Sequence, residues 1–185
     1  SLAGWTTSSF ASSTATFGGS TGSTSLGAAI LTAGPGAERG VRGPHGSNPY
    51  VILRQCVGPI AAGSYDLKAH THTANASGDA SNQVAVVLWD GPGCSGNPID
   101  ELATNGNADV SGISPTNWSE RSRTAMTFPQ ETMSVAVELY VDAGTQPSST
   151  TVYFDHVFFG LAGTPVTLQS FDAEGAQLGI DLCPF

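Results

Sequence analysis

Ser64-Tyr65-Asp66-Leu67-Lys68-Ala69-His70-Thr71-His72-Thr73 is the stretch that decides the fold class. Tyr65, Leu67, Ala69 and Thr71 fall on one parity, and Asp66, Lys68, His70 and His72 on the other. Successive side chains point to opposite faces of a strand, so the first set belongs to a core and the second to solvent. Upstream, Tyr50-Val51-Ile52-Leu53-Arg54-Gln55-Cys56-Val57 reads as another strand. Downstream, Gln83–Trp89 is apolar on both parities, as in a central strand. Residues 133–141 are expected to turn Met133, Val135, Val137, Leu139 and Val141 inward and Ser134, Ala136, Glu138 and Tyr140 outward. Thr151–Phe159 forms the last strong strand.

Turn-forming clusters separate these runs at Asn75–Ser81, Asp90–Asn97, Asn105–Asn117 and Asp142–Ser149, and no ten-residue segment carries a 3.6-residue period. Many strands joined by Gly, Pro and Asn turns predict an all-β protein, an antiparallel β-sandwich of jelly-roll topology. Residues 1–48 are rich in Ser, Thr, Gly and Ala, with spaced apolar residues that suggest two or three short strands. The sandwich is expected over residues 1–160. Residues 161–185 are expected to form a C-terminal extension with one further strand at Thr164–Phe171, packed on the domain or on a neighbour. The start at Ser1-Leu2-Ala3-Gly4-Trp5 reads as the inside of a first segment, expected to have been cut from something longer.

The 185 residues suit one domain. Only 11% of them are charged, against about 25% in an ordinary soluble domain. The net charge of −9, with Lys68 and five arginines as the only cations, repels phosphate. Nucleic acid and insertion into anionic membranes are therefore not expected as partners. No apolar run approaches the roughly 20 residues of a membrane-spanning helix.

Cys56, Cys94 and Cys183 lack the spacing of a zinc or redox site. Cys56 ends a strand-like run and Cys94 lies in the turn Asp90–Gly96 just past another strand, which favours a Cys56–Cys94 disulfide. Cys183 is then free, terminal or intermolecular. The competing reading is three reduced, buried thiols in a cytosolic protein. A disulfide would place the chain in an oxidising compartment, secreted or on the cell surface.

The order of features resembles a known group. Gly4-Trp5 leads to Gln55-Cys56-Val57 and Gly63-Ser64-Tyr65-Asp66-Leu67; Cys94-Ser95-Gly96 follows the next strand; Asn117-Trp118 precedes another; and Val152-Tyr153-Phe154-Asp155-His156-Val157 closes the series. Over about residues 2–160 this looks like the jelly-roll carbohydrate-binding modules of secreted xylanases and glucanases, with their galactose-binding-like relatives. The resemblance implies a Phe-Asp-Asp-Val closing strand whose first Asp helps to hold a structural calcium. Asp155 matches that position; His156 stands in place of the second acid.

The candidate chemistry follows from residue type. Sugar rings stack on aromatic faces while amides, carboxylates and Arg hold hydroxyls. Tyr140 and Glu138, on one outward face, are the preferred ligand-binding pair, with Trp118 and Arg121 as further candidates beside Trp89 and Tyr50. His70 and His72 project from one strand face in metal-capable geometry, with His45 or His156 as an additional partner in space, but a solvated face beside Asp66 and Lys68 is the favoured reading. A glycosidase needs two carboxylates about 5–10 Å apart across a cleft. Asp79, Asp90, Asp100, Glu101, Asp109, Glu120 and Asp142 all read as turn residues, leaving Glu138 alone in mid-strand. No nucleophile elbow or phosphate-binding loop is present, so the chain is not expected to be an enzyme. The expected function is a non-catalytic extracellular carbohydrate-binding module with polysaccharide as its partner. The alternative is a structural subunit of a bacterial extracellular fibre or surface assembly, whose terminal strands contact copies of itself.

Overall fold

A computed structural model of the chain describes residues 4–9, 12–18, 28–34, 49–75, 80–103, 118–144 and 148–163. Ten strands make up the described secondary structure: β1 (Thr6–Ser9), β2 (Thr14–Gly18), β3 (Ala28–Ala33), β4 (Tyr50–Val57), β5 (Ser64–Asn75), β6 (Ser81–Trp89), β7 (Pro98–Ala103), β8 (Ser119–Thr127), β9 (Ser134–Asp142) and β10 (Thr150–Leu161). They form two five-stranded antiparallel sheets, ordered β1-β4-β9-β6-β7 and β2-β3-β10-β5-β8. The chain passes repeatedly from one sheet to the other, giving the jelly-roll sandwich that the alternating sequence predicts. Three short strands do occupy the Ser/Thr/Gly-rich first segment. The strand expected at Thr164–Phe171 and the third cysteine, Cys183, lie outside the described residues.

The core is the set of inward parities. Tyr65, Leu67 and Ala69 of β5 are buried, as are Val84, Val86 and Leu88 of β6 and Val135, Val137, Leu139 and Val141 of β9. They meet Leu31 of β3, Val51 and Leu53 of β4, and Val152, Phe154 and Phe159 of β10 in one cluster that also takes in Trp5. Tyr65 and Phe159 stack at 5.2 Å within it. Met133 departs from expectation: it is 55% exposed. It precedes β9, and its backbone N–H donates to the Trp89 carbonyl at 2.9 Å as the chain enters the strand.

A bulge in β10 is the feature that alternation alone does not show. Asp155 pairs with His70 and Phe158 with Lys68, so His156 and Val157 together oppose the single residue Ala69. Val152 and Phe154 are inward before the bulge, Val157 and Phe159 after it. The extra residue changes the parity by one, and His156, at φ 49°, absorbs the change. Without it, His156 would enter the core and Phe159 would leave it.

Candidate functional site

Because β9 turns its valines and Leu139 inward, Ala136, Glu138 and Tyr140 rise from the outer face of the first sheet. Register then supplies their neighbours. Tyr140 lies between Ile52 of β4 and Gln83 of β6, and Glu138 between Arg54 and Ala85. Ile52, Gln83, Ala85, Glu101, Glu138 and Tyr140 line one groove of about 250 Å³. Ile52 and Ala85 give it an apolar floor, with polar groups fixed around them. Arg54 Nε donates to Glu138 Oε1 at 2.6 Å. Gln83 Nε2 donates to Glu101 Oε1 at 2.8 Å. The Tyr140 hydroxyl donates to Asp142 Oδ2 at 2.8 Å. Burial first, and the Asp142 carboxylate second, push the Tyr140 phenol far above its ordinary range, so it stays a hydrogen-bond donor. The Tyr50 ring stands 6.4 Å from it.

Trp118 and Arg121 lie elsewhere. Trp118 immediately precedes β8 in the second sheet, with its ring 5.3 Å from that of His72. His72 is in turn stacked on Tyr153 at 5.5 Å. Arg121 is the cross-strand partner of the inward-facing Ala69, so it points between the sheets at their open edge. Its Nε is buried and makes no protein hydrogen bond. Arg123, two residues on, reaches from β8 to the Ala103 carbonyl of β7 at 2.9 Å and ties the two sheet edges together. Of the four ligand candidates, only Tyr140 and Glu138 therefore share a face.

Sequence reasoning missed Arg54, Gln83 and Glu101. Asp100 and Glu101 read as turn residues but belong to β7, and Glu120 belongs to β8. With Asp66 in β5 and Asp155 in β10 as well, Glu138 is thus not the lone mid-strand acid, and Glu101 shares its groove. The turn-rich approach and Pro98 at the head of β7 hid the strand. Alternation in Tyr50–Val57 was the available signal for Arg54.

Cys56 and Cys94 are joined in a disulfide with 5.8 Å between their Cα atoms, a spacing a relaxed bridge accepts. The turn carrying Cys94 is held by Ser134, whose Oγ accepts from the Cys94 backbone N–H at 2.9 Å and donates to the Gly91 carbonyl at 2.6 Å. Asp90 Oδ1 accepts from the Asn97 N–H at 2.7 Å. That bond, with the Asn97 amide, holds the Asp90 carboxyl below its usual value.

Asp155, the candidate calcium ligand, is fully buried. Its Oδ1 accepts from the His156 N–H at 2.8 Å, and Oδ2 lies 3.9 Å from His156 Nδ1. The His70 ring meets that of His156 on the same face. Calcium takes roughly six to eight oxygens. One carboxylate beside two imidazoles is a poor donor set for it, and among the described residues no three His, Cys, Asp or Glu side chains converge on one point. The side chains here do not fit calcium.

No protein-family model matches the sequence, and no curated protein matches it. Solved structures do share its fold. One, described as showing the promiscuous specificity of carbohydrate-binding modules from the β-sandwich superfamily, superposes with a TM-score of 0.60 at 14% identity, over 86% of this chain and 58% of that one. This chain thus spans less than two thirds of that structure. The CBM22-1 xylan-binding domain from Paenibacillus barcinonensis gives 0.53 at 10% identity, over 86% of each chain. The enzymatically active domain of bacteriophage CBA120 tailspike protein 4 gives 0.54 at 14%, with 87% of this chain covering 20% of that one. The chain has the β-sandwich fold of the carbohydrate-binding modules. At these identities the likeness is one of fold, and that fold also occurs inside an enzyme.

Proposed function

We propose that the domain is a non-catalytic, secreted carbohydrate-binding module whose ligand lies along the outer face of β4, β9, β6 and β7. The carrying observation is the groove into which Glu138 and Tyr140 project from one strand, flanked by Ile52, Gln83, Ala85 and Glu101. An apolar floor beneath oriented donors and acceptors matches a sugar chain, whose ring faces are apolar and whose edges carry hydroxyls. Glu138 is ion-paired with Arg54. The guanidinium holds that carboxylate in a fixed orientation as a hydrogen-bond acceptor, which suits binding a sugar hydroxyl. The net charge of −9 favours neutral polysaccharides over polyuronates. The disulfide fits an oxidising compartment, and the solved neighbours whose descriptions name carbohydrate or xylan binding support the ligand class.

The fibre-subunit reading has less support. Strands β1 and β2, which it would lend to a neighbouring copy, pair with β4 and β3 of their own chain. Affinity electrophoresis in gels containing xylan, β-glucan or mannan tests the proposal. Retardation by at least one neutral polysaccharide, lost in Tyr140→Ala, is expected. Unchanged mobility in all of them, with a polymer in light scattering, would overturn it in favour of the assembly.

A further inference from the structure

The bulge of β10 creates a second polar constellation, on the opposite sheet from the groove. His70 of β5 is in register with Asp155, and the inserted residue beside Asp155 is His156. The two imidazoles face each other through Nδ1, 3.2 Å apart, with ring centroids at 5.1 Å and planes at 86°. Two imidazole nitrogens at about 2.0–2.1 Å from one tetrahedral ion lie about 3.3 Å apart, with centroids about 5.2 Å apart. A linear N–H···N contact of the observed length would put the centroids about 5.5 Å apart. The two distances suit a bent N–H···N hydrogen bond in the metal-free protein, and the same bend turns both Nδ1 atoms toward a common point off the N···N line.

We propose that His70 and His156 chelate a divalent transition ion of the zinc or copper type through their Nδ1 atoms. Imidazole is a preferred ligand of these ions, and neither ring supplies the oxygens that calcium or magnesium requires. Coordination through Nδ1 requires the ring proton on Nε2. On His70 that atom lies 4.0 Å from Glu120 Oε2, so a carboxylate stands on the side of the ring away from the proposed ion, too far for a direct hydrogen bond. Asp155 Oδ2 lies 3.9 Å from His156 Nδ1, so a second carboxylate adds negative charge near the pair without converging on it as a third ligand. The left-handed φ of 49° at His156 aims its ring across the strand, a conformation His adopts more readily than bulkier residues. Among the described residues no third side chain completes a protein-only set. The remaining positions fall to water, and the His70 side chain, 31% exposed, leaves a route from solvent.

This site is independent of the sugar groove, so each can fail alone. Full-length protein stripped with EDTA and desalted is titrated with Zn²⁺ and, separately, Cu²⁺ at pH 7.5 by calorimetry and thermal denaturation. One ion per chain and a rise in Tm of about 3–6 °C at saturating metal are expected. Both are lost in His70→Gln and kept in His72→Gln. Because His156 is buried, the more exposed His70 carries the test, and His156→Gln is compared only where its circular dichroism matches the parent. Absence of binding by either ion overturns the proposal, and so does binding that survives in His70→Gln.

Discussion

Arg54 and Glu138 are direct cross-strand partners on β4 and β9, and their side chains meet at 2.6 Å on the outer face of the sheet. Glu138 is 10% exposed in its side chain and Arg54 39%, so the pair sits between a surface bridge and a buried one. Arg54→Met leaves a largely buried carboxylate without its cation. A loss of about 1–2 kcal/mol is expected, lowering Tm by roughly 3–6 °C. A double-mutant cycle with Glu138→Gln should recover part of that loss as coupling. A coupling energy of zero would show that the pair does nothing for the fold.

Tyr140 combines a ring in the groove with a hydroxyl committed to Asp142. Tyr140→Ala should weaken polysaccharide binding about tenfold or more, the loss typical of a central aromatic anchor. Tyr140→Phe keeps the ring and should cost only a few-fold. Trp118→Ala and Arg121→Ala, on the other sheet and at the sandwich edge, should leave affinity unchanged in the same titration. A loss in those two with none in Tyr140→Ala would move the ligand to the opposite face.

The Cys56–Cys94 bridge closes a loop of 38 residues. In the chain-entropy account it constrains the unfolded chain by about 3–4 kcal/mol. Reduction, or the Cys56→Ser/Cys94→Ser double variant, should lower Tm by roughly 10 °C. An unchanged Tm after reduction, with two free thiols confirmed by mass, would contradict this.

His72 supplies a pH dependence of definite sign. Burial pushes its pKa below the ordinary 6.5. As pH falls below about 6.5 the unfolded chain therefore takes up a proton that the folded one refuses. Its contribution to stability is full above that value and declines until pH passes the lowered folded value. Tm should fall between pH 7.5 and 5.5, and fall less in His72→Gln. The Asp90 carboxyl, held low by Asn97, acts in the same direction in a more acidic range, lost as pH drops through its depressed value.

Asp155 tests calcium directly. With one carboxylate and two imidazoles at hand, about 5 mM Ca²⁺ should leave Tm unchanged. A rise that disappears in Asp155→Asn would instead show that backbone oxygens complete a calcium site there.

Strand identity and the choice of inward face were legible in the sequence, because side-chain alternation is a local property of extended chain. Tyr65, Leu67 and Ala69, or Val135 to Val141, announce their face without reference to any other strand. The cysteine pair was legible too, since both stand where strands meet turns. The tertiary structure decided everything that depends on which strands are neighbours. It set Arg54 beside Glu138, brought Glu101 into the groove with Tyr140, and turned Arg121 to the sandwich edge by pairing it with Ala69. It also placed a bulge where Val152-Tyr153-Phe154-Asp155-His156 gives no sign of one, bringing His156 to His70. Register is a non-local quantity, fixed only when two whole sheets bury their inner faces against each other. A single strand's pattern states which way a residue points, and only the packed sandwich states what it meets there.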